Sequence, residues 1–302
     1  MLKFLNNRNF VLLLAFVCGL VFSNLANYTE SVILPALIIL LTVSMIGFSA
    51  KEFLPLSSCF RPFLLAFAFN YLVLGTLFLV LARLIVQDYN LWLGYVLIAA
   101  APPGVAIIPF THVLKGNVKL SLIGTFAVYL SSLAVTPIMI FLLTDGTLIS
   151  PVRLVTIMFQ LILIPFVVSQ IINSSKRTQK VIEDWRGTII NWGFFIIVFS
   201  VVGLNRDVFL TQPQVLAQIS LIAFLSTFAL AFLTNRVSKK IGFPEPERSC
   251  FMLFATIKNM GFASAIALTF FNELASVPAA VTAALYAIYF IFLGHRGSQK
   301  KD

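Results

Sequence analysis

Ala101-Pro102-Pro103-Gly104-Val105-Ala106-Ile107-Ile108-Pro109 interrupts an apolar run that extends from Leu91 to Val113. Proline has no backbone N–H and its ring obstructs the helical bond one turn earlier, so carbonyls in this stretch lose their intrahelical partners. The run reads as a membrane helix unwound near its middle. Thr256-Ile257-Lys258-Asn259-Met260-Gly261 marks a second interruption, with a cation, an amide and a glycine inside the apolar run Ser249 to Phe270. A proline kink alone explains Pro102 and Pro103; it does not explain a lysine at membrane depth.

The surrounding composition is that of an integral membrane protein. Of 302 residues 60% are hydrophobic and 11% charged, and the mean hydropathy is +0.99. A spanning helix needs about 20 apolar residues, so about ten spans leave only short loops and no room for a soluble domain. Apolar stretches fall near Asn9 to Ala26, Ser31 to Phe48, Pro62 to Val86, Leu91 to Val113 and Val118 to Leu143. The second half repeats the scheme near Pro151 to Ile172, Thr188 to Leu204, Pro213 to Thr234, Ser249 to Phe270 and Ser276 to Leu293. The expected fold is all-α, with ten transmembrane helices in two five-helix repeats, residues 1–150 and 151–302. An odd number of spans per repeat inverts the second, and the interrupted helices 4 and 9 then occupy matching places. That is the arrangement of an inverted-repeat secondary transporter, whose site forms where the broken helices cross. The run Val11 to Phe22, preceded by Lys3 and Arg8, also fits a cleavable signal, but its removal leaves nine spans and unpairs the halves.

The net charge of +10 comes from Lys and Arg gathered in alternate loops. This is a pattern of membrane orientation rather than of nucleic-acid binding. With the N-terminus inside, every basic residue except Arg83, Arg153, Arg206 and Lys258 falls on the cytoplasmic side, and both termini are cytoplasmic in a cell membrane. Cys18, Cys59 and Cys250 match no metal-ligand spacing, and no metal or cofactor is implied. The 11 acidic residues all fall in loops or at helix ends, so no carboxylate lies at depth to relay a proton. The expected partners are the bilayer and a small organic anion, with no nucleic acid; the oligomeric state stays open.

At both interruptions the chain resembles the bile acid:sodium symporter family. That family's fourth span carries Cys-Pro-Gly-Gly-x-x-Ser-Asn and an Ala-Lys-Gly end, against Ala101-Pro102-Pro103-Gly104-Val105-Ala106-Ile107-Ile108 and Leu114-Lys115-Gly116 here. Its ninth span carries Glu-x-Gly-x-Gln-Asn-x-Gly, which falls on Phe254 to Gly261, with Asn259 and Gly261 matching. The likeness follows both halves in span order, including Thr136-Pro137 late in the fifth. It implies a core domain from helices 3–5 and 8–10 and a panel domain from helices 1, 2, 6 and 7. It also implies sodium ligands at Asn70, Ile107, Ile108, Ser121, Thr125, Phe254 and Lys258. Of these only Ser121 and Thr125 keep the family's residue. Sodium needs several oxygen ligands, and two isoleucines, a phenylalanine and a lysine supply none, so neither sodium site is expected to survive.

Lys258 is the most informative residue. It lies about 15 Å along a helix from Arg248, too deep to snorkel readily, and it needs a partner to offset an insertion cost of about 2.5–3.5 kcal/mol. Its ammonium is expected to replace sodium, holding the crossover and attracting a substrate carboxylate; the alternative is a lysine that bonds crossover carbonyls and never meets substrate. A buried lysine also releases its proton more readily, which leaves proton coupling open. Pro102, Pro103, Gly104, Asn259 and Gly261 complete the expected crossover, while Asn70 either joins it or bonds a neighbouring helix. His112 reads as a solvated interface residue. The family implies organic anions such as bile acids, pantoate or keto acids. An efflux carrier of the related arsenite or auxin type shares the fold. An intramembrane lipid-modifying enzyme is the reading from another class, and it lacks a positioned acid, base or nucleophile besides Lys258.

Overall fold

The computed structural model describes residues 7–47, 55–144 and 151–298. Among them every regular element is helical, short turns over Ser23–Leu25, Ala26–Thr29 and Glu30–Val32 joining the first two of the main helices: α1 (Arg8–Val21), α2 (Ile33–Met45), α3 (Leu56–Ile85), α4 (Tyr89–Ala100), α5 (Ile107–Val113), α6 (Val118–Leu143), α7 (Pro151–Asn173), α8 (Lys176–Leu204), α9 (Arg206–Thr211), α10 (Pro213–Ile241), α11 (Glu245–Phe254), α12 (Met260–Phe270) and α13 (Glu273–Ser298). Six of these, α3, α6, α7, α8, α10 and α13, are each long and apolar enough to cross a bilayer. The two expected interruptions appear as the gaps between α4 and α5 and between α11 and α12. Pro109 lies within α5 rather than in the gap, in the first turn, where its missing N–H has no bond to lose. The Phe48 end of the expected second span lies outside the described residues, as do Lys3, Lys51, Glu52, Asp145, Lys300, Lys301 and Asp302.

Local chemistry sets the helix starts. Asp88 caps α4, its carboxylate accepting from the N–H groups of Asn90 at 2.7 Å and Leu91 at 3.1 Å. Asn117 caps α6 through Leu120 N–H at 3.0 Å, and each cap satisfies donors that the first helical turn leaves unpaired. Two long helices depart from the straight spans expected of them, since α3 widens into a π-helix over Ala68–Gly75 and α10 over Leu225–Ala229.

Contacts near helix ends define the two ends of the bundle. At one end Gly47 N–H donates to Asn173 Oδ1 at 2.9 Å, Asn117 N–H to the Pro246 carbonyl at 3.0 Å, and Arg61 pairs with Glu247 at 2.8 Å. At the other end Asn272 donates to Asn90 at 2.8 Å and Asn205 to Ser276 at 3.1 Å, and Arg153 lies over the Phe270 ring.

The helices pack in two groups. α8 lies along α1 and α2, and α7 lies along α2; the remaining long helices pack around α4, α11, α12 and α13. Leu12 and Ala15 of α1 and Ala26 of the short helical turn Ala26–Thr29 meet Val198, Phe199 and Val202 of α8 in a cluster of their own. Close approach there depends on glycine, because a Cβ on Gly203 would stand 2.5 Å from the Ala26 Cβ, and one on Gly19 would stand 2.9 Å from the Phe199 carbonyl oxygen. Small residues let helix backbones approach where lipid supplies no hydrophobic drive for association. Gly203→Leu is therefore expected to destabilise the purified protein by about 1–3 kcal/mol through overpacking. Gly294→Ala, where an added Cβ meets nothing within 4 Å, is expected to stabilise it by up to about 1 kcal/mol by lowering unfolded-chain entropy. Thermal unfolding midpoints displaced in opposite directions would bear out both.

Candidate functional site

The α4 helix stops at Ala100 because Pro102 and Pro103 cannot donate to carbonyls a turn earlier. The extended residues that follow run antiparallel to the gap between α11 and α12, with Pro103 bridging to Lys258. Gly104 N–H donates to the Ile257 carbonyl at 3.0 Å, and Asn259 N–H donates to the Pro102 carbonyl at 2.9 Å. Each broken helix thus supplies backbone partners that the other lacks, as buried backbone at membrane depth requires. Gly104 is demanded by this proximity, since a Cβ there would fall 2.7 Å from Ile257 Cγ2 and 2.9 Å from the Lys258 carbonyl oxygen.

Lys258 is 2% exposed. Its Nζ donates to the Ala99 carbonyl at 2.7 Å and to the Ala101 carbonyl at 2.8 Å, and lies 4.4 Å from the centre of the Tyr71 ring. Two charge-assisted hydrogen bonds and one cation–π contact surround the ammonium. Thr136 Oγ1 donates to the intervening Ala100 carbonyl at 2.7 Å. Four successive carbonyls, Ala99 to Pro102, therefore each have a partner from another helix. The Lys258 N–H is held by the Tyr286 hydroxyl at 3.0 Å, and Thr256 Oγ1 lies 3.1 Å from the Tyr289 hydroxyl.

Asn259 works in two directions. Its Nδ2 donates to the Tyr129 hydroxyl at 2.8 Å, while its Oδ1 accepts from Phe262 N–H at 3.1 Å and caps α12. Asn70, in the π-helical part of α3, reaches the Ala101 carbonyl through Nδ2 at 3.5 Å, and its buried Oδ1 has no partner among the described residues. Gly261 is not sterically required, because the nearest neighbours of an added Cβ are in ordinary contact at 3.4 Å.

Ser121 and Thr125 stand apart from this network. Ser121 Oγ lies 2.7 Å from Thr111 Oγ1, which itself donates to the Ile107 carbonyl at 2.8 Å. The buried Thr125 hydroxyl has no partner among the described residues. The Phe254 ring fills the space against Gly124, its Cζ lying 3.0 Å from where a Cβ would stand, and Ile107 is fully buried. Ile108 instead faces a cavity with His112 and Arg186. Among the described residues no group of three or more His, Cys, Asp or Glu is placed to hold a metal.

Sequence reasoning found the crossing segments and their lysine but missed Tyr71, Tyr129, Tyr286 and Tyr289, whose rings are ordinary in apolar spans and whose hydroxyls acquire roles only through tertiary contact. Thr136, noted only as part of a Thr-Pro pair, closes the carbonyl series.

The family model described as Sodium Bile acid symporter family matches residues 34–212. The matched region includes the first interruption and ends before α10, so Lys258 lies outside it. Over 190 residues the chain is 26% identical to a Bacillus subtilis (strain 168) protein described as an uncharacterized sodium-dependent transporter, YocS. The alignment covers 62% of this chain and 58% of that protein, so the chain spans somewhat less than two thirds of the relative's length. With a family model running across more than half of its residues, the chain belongs to the sodium bile acid symporter family, a family of membrane transporters.

Proposed function

We propose that this chain is a ten-helix secondary transporter in which two inverted repeats, residues 1–150 and 151–302, carry a small or amphipathic organic anion by alternating access without sodium. The repeats are supported by features that recur in order. The first broken helix stops before Ala101 and the second before Ala255, and the helices that follow begin at Val118 and Glu273. Helices α3 and α10, which precede them, both carry a π-helical stretch, a feature concentrated at functional sites. The packing groups match a panel of α1, α2, α7 and α8 moving against a core built from the others. The alternation of Lys- and Arg-rich loops along the sequence supports cytoplasmic termini in a cell membrane.

The observation that carries the sodium-free reading is the ammonium of Lys258 between the Ala99 and Ala101 carbonyls. Backbone carbonyls at an unwound helix are ligands for a monovalent cation in transporters of this kind, and here a tethered cation takes that place. With two carbonyls and the Tyr71 ring around it, the ammonium serves as the fixed charge of the crossover rather than as the group that grips substrate. Ile107 and Phe254, both fully buried, bring no side-chain oxygen to two of the other carried-over cation-ligand positions.

Unfolding of the purified protein in matched sodium and choline buffers is expected to give the same midpoint. A sodium-specific rise of the size that 100-fold saturation produces, about 2.7 kcal/mol, would show a surviving sodium site and sink the proposal. Lys258→Gln is expected to cost about 2–4 kcal/mol in choline, because the carbonyls lose a charged donor. Part of that loss should return in sodium, which the vacated carbonyls, the Gln oxygen and Asn70 Oδ1 together offer to coordinate; a variant equally unstable in both buffers would deny Lys258 the role of a cation substitute.

A further inference from the structure

A cavity of about 390 Å³ lies between α5 and α8, lined by Ile108, Pro109, His112, Arg186, Asn191 and Phe194 among others. Its volume is in the range of small-molecule sites, about 300–1,000 Å³. Among the described residues the ionisable side chains that line it, Arg186 and His112, are both basic, and no carboxylate lines it. Arg186 is half-buried and donates through Nη2 to the Ser44 carbonyl at 2.6 Å. A guanidinium carries five N–H donors, and the Ser44 bond uses one of them. The neighbouring carboxylate, Glu183, acts on Arg186 through its charge while its hydrogen bond, at 2.9 Å, is from Gln179 Nε2. Ile108, Pro109 and Phe194 give the remainder of the wall an apolar character.

The cavity also adjoins the crossover. Val105, Ala106 and Phe194 line it and a smaller space of about 40 Å³ that Gly104, Lys258 and Asn259 border. Ser44 and Arg186 belong to one packing group, whereas Ile108, Pro109 and His112 belong to the other, so anything bound between them touches both.

We propose that this cavity is the carboxylate subsite of the carrier, with Arg186 gripping the acid group and the Ile108–Phe194 wall receiving an apolar body. The ligand class is a monocarboxylate with a compact hydrophobic moiety. Planar, permanently charged guanidinium suits such a group through paired hydrogen bonds, and it takes the substrate-recognition role that the enclosed Lys258 ammonium does not fill. This inference rests on the carrier reading for its meaning but is tested separately from it.

The test uses the full chain, purified and also reconstituted in liposomes, with 4-phenylbutyrate as probe and its neutral analogue 4-phenylbutanamide as control. The acid should raise the unfolding midpoint and the amide should not. Arg186→Gln should weaken binding of the acid at least tenfold. Ile190→Trp, which fills the cavity while leaving Arg186 and its bond to Ser44 in place, should abolish binding, and it keeps the test alive if the arginine variant does not fold. No binding by the unaltered protein, equal binding of acid and amide, or full binding by both variants would overturn the subsite. Exchange of labelled probe across the liposome membrane separates the two claims. Binding lost in Arg186→Gln without any exchange by the unaltered protein upholds the subsite and overturns the carrier, whereas exchange undiminished in Arg186→Gln upholds the carrier and overturns the subsite.

Discussion

Four consecutive carbonyls, from Ala99 to Pro102, have no N–H of their own helix to accept, and inside a bilayer no bulk water takes its place. Each such group left bare costs several kcal/mol. The crossing of the two broken helices is the solution to that constraint, with a backbone N–H from Asn259, a hydroxyl from Thr136 and the ammonium of Lys258 arriving from three different directions. Gly104 follows from the same demand, since only a residue without Cβ lets the segments lie this close. The capping of α12 by Asn259 then fixes where the second half-helix resumes. The rest of the bundle is packing around this knot.

A dissociable ion and a tethered one differ in what they do to a transport cycle. Sodium stabilises a crossover only at the side and concentration where it is available, which is how its gradient does work on a substrate. A lysine holds the same carbonyls at every step and draws on no gradient. On the sodium-free reading the carrier moves its anion down that anion's own gradient, or couples it to a second solute or to a proton. The apolar filling at Ile107 and Phe254 fits the same economy of ions, for a site that never empties needs no ligands poised to receive anything.

The sequence was most legible where a residue acts on its own backbone. Pro102 and Pro103 forbid local hydrogen bonds whatever surrounds them, and the helix does stop at Ala100; Lys258 is costly in any apolar segment, and it lies at the second break. Reading was blind where meaning depends on what stands opposite. The tyrosine hydroxyls that hold Asn259 and the Lys258 amide come from helices remote in sequence, and one tyrosine in an apolar span looks like another. The π-helical stretches of α3 and α10 have no residue signature, because an extra residue in a turn is a matter of hydrogen-bond register rather than of composition. Arg186 could be assigned only to the basic side of the membrane, since its place in a cavity wall depends on how α8 is rotated against α2 and α5.

The order in which the knot's parts are made has its own consequence for biogenesis. The ribosome completes Pro102 and Pro103 long before Ile257, Lys258 and Asn259, their partners in the crossing. At synthesis rates of about 5–20 residues per second, the first broken helix waits on the order of 10 to 30 s for the second. Through that interval its bare carbonyls must be served by something other than the finished protein, whether water in the insertion channel or a helper in the membrane. The nascent first half is thus the stage at which this chain is most exposed to quality control, although the finished crossover is among its best-paired regions.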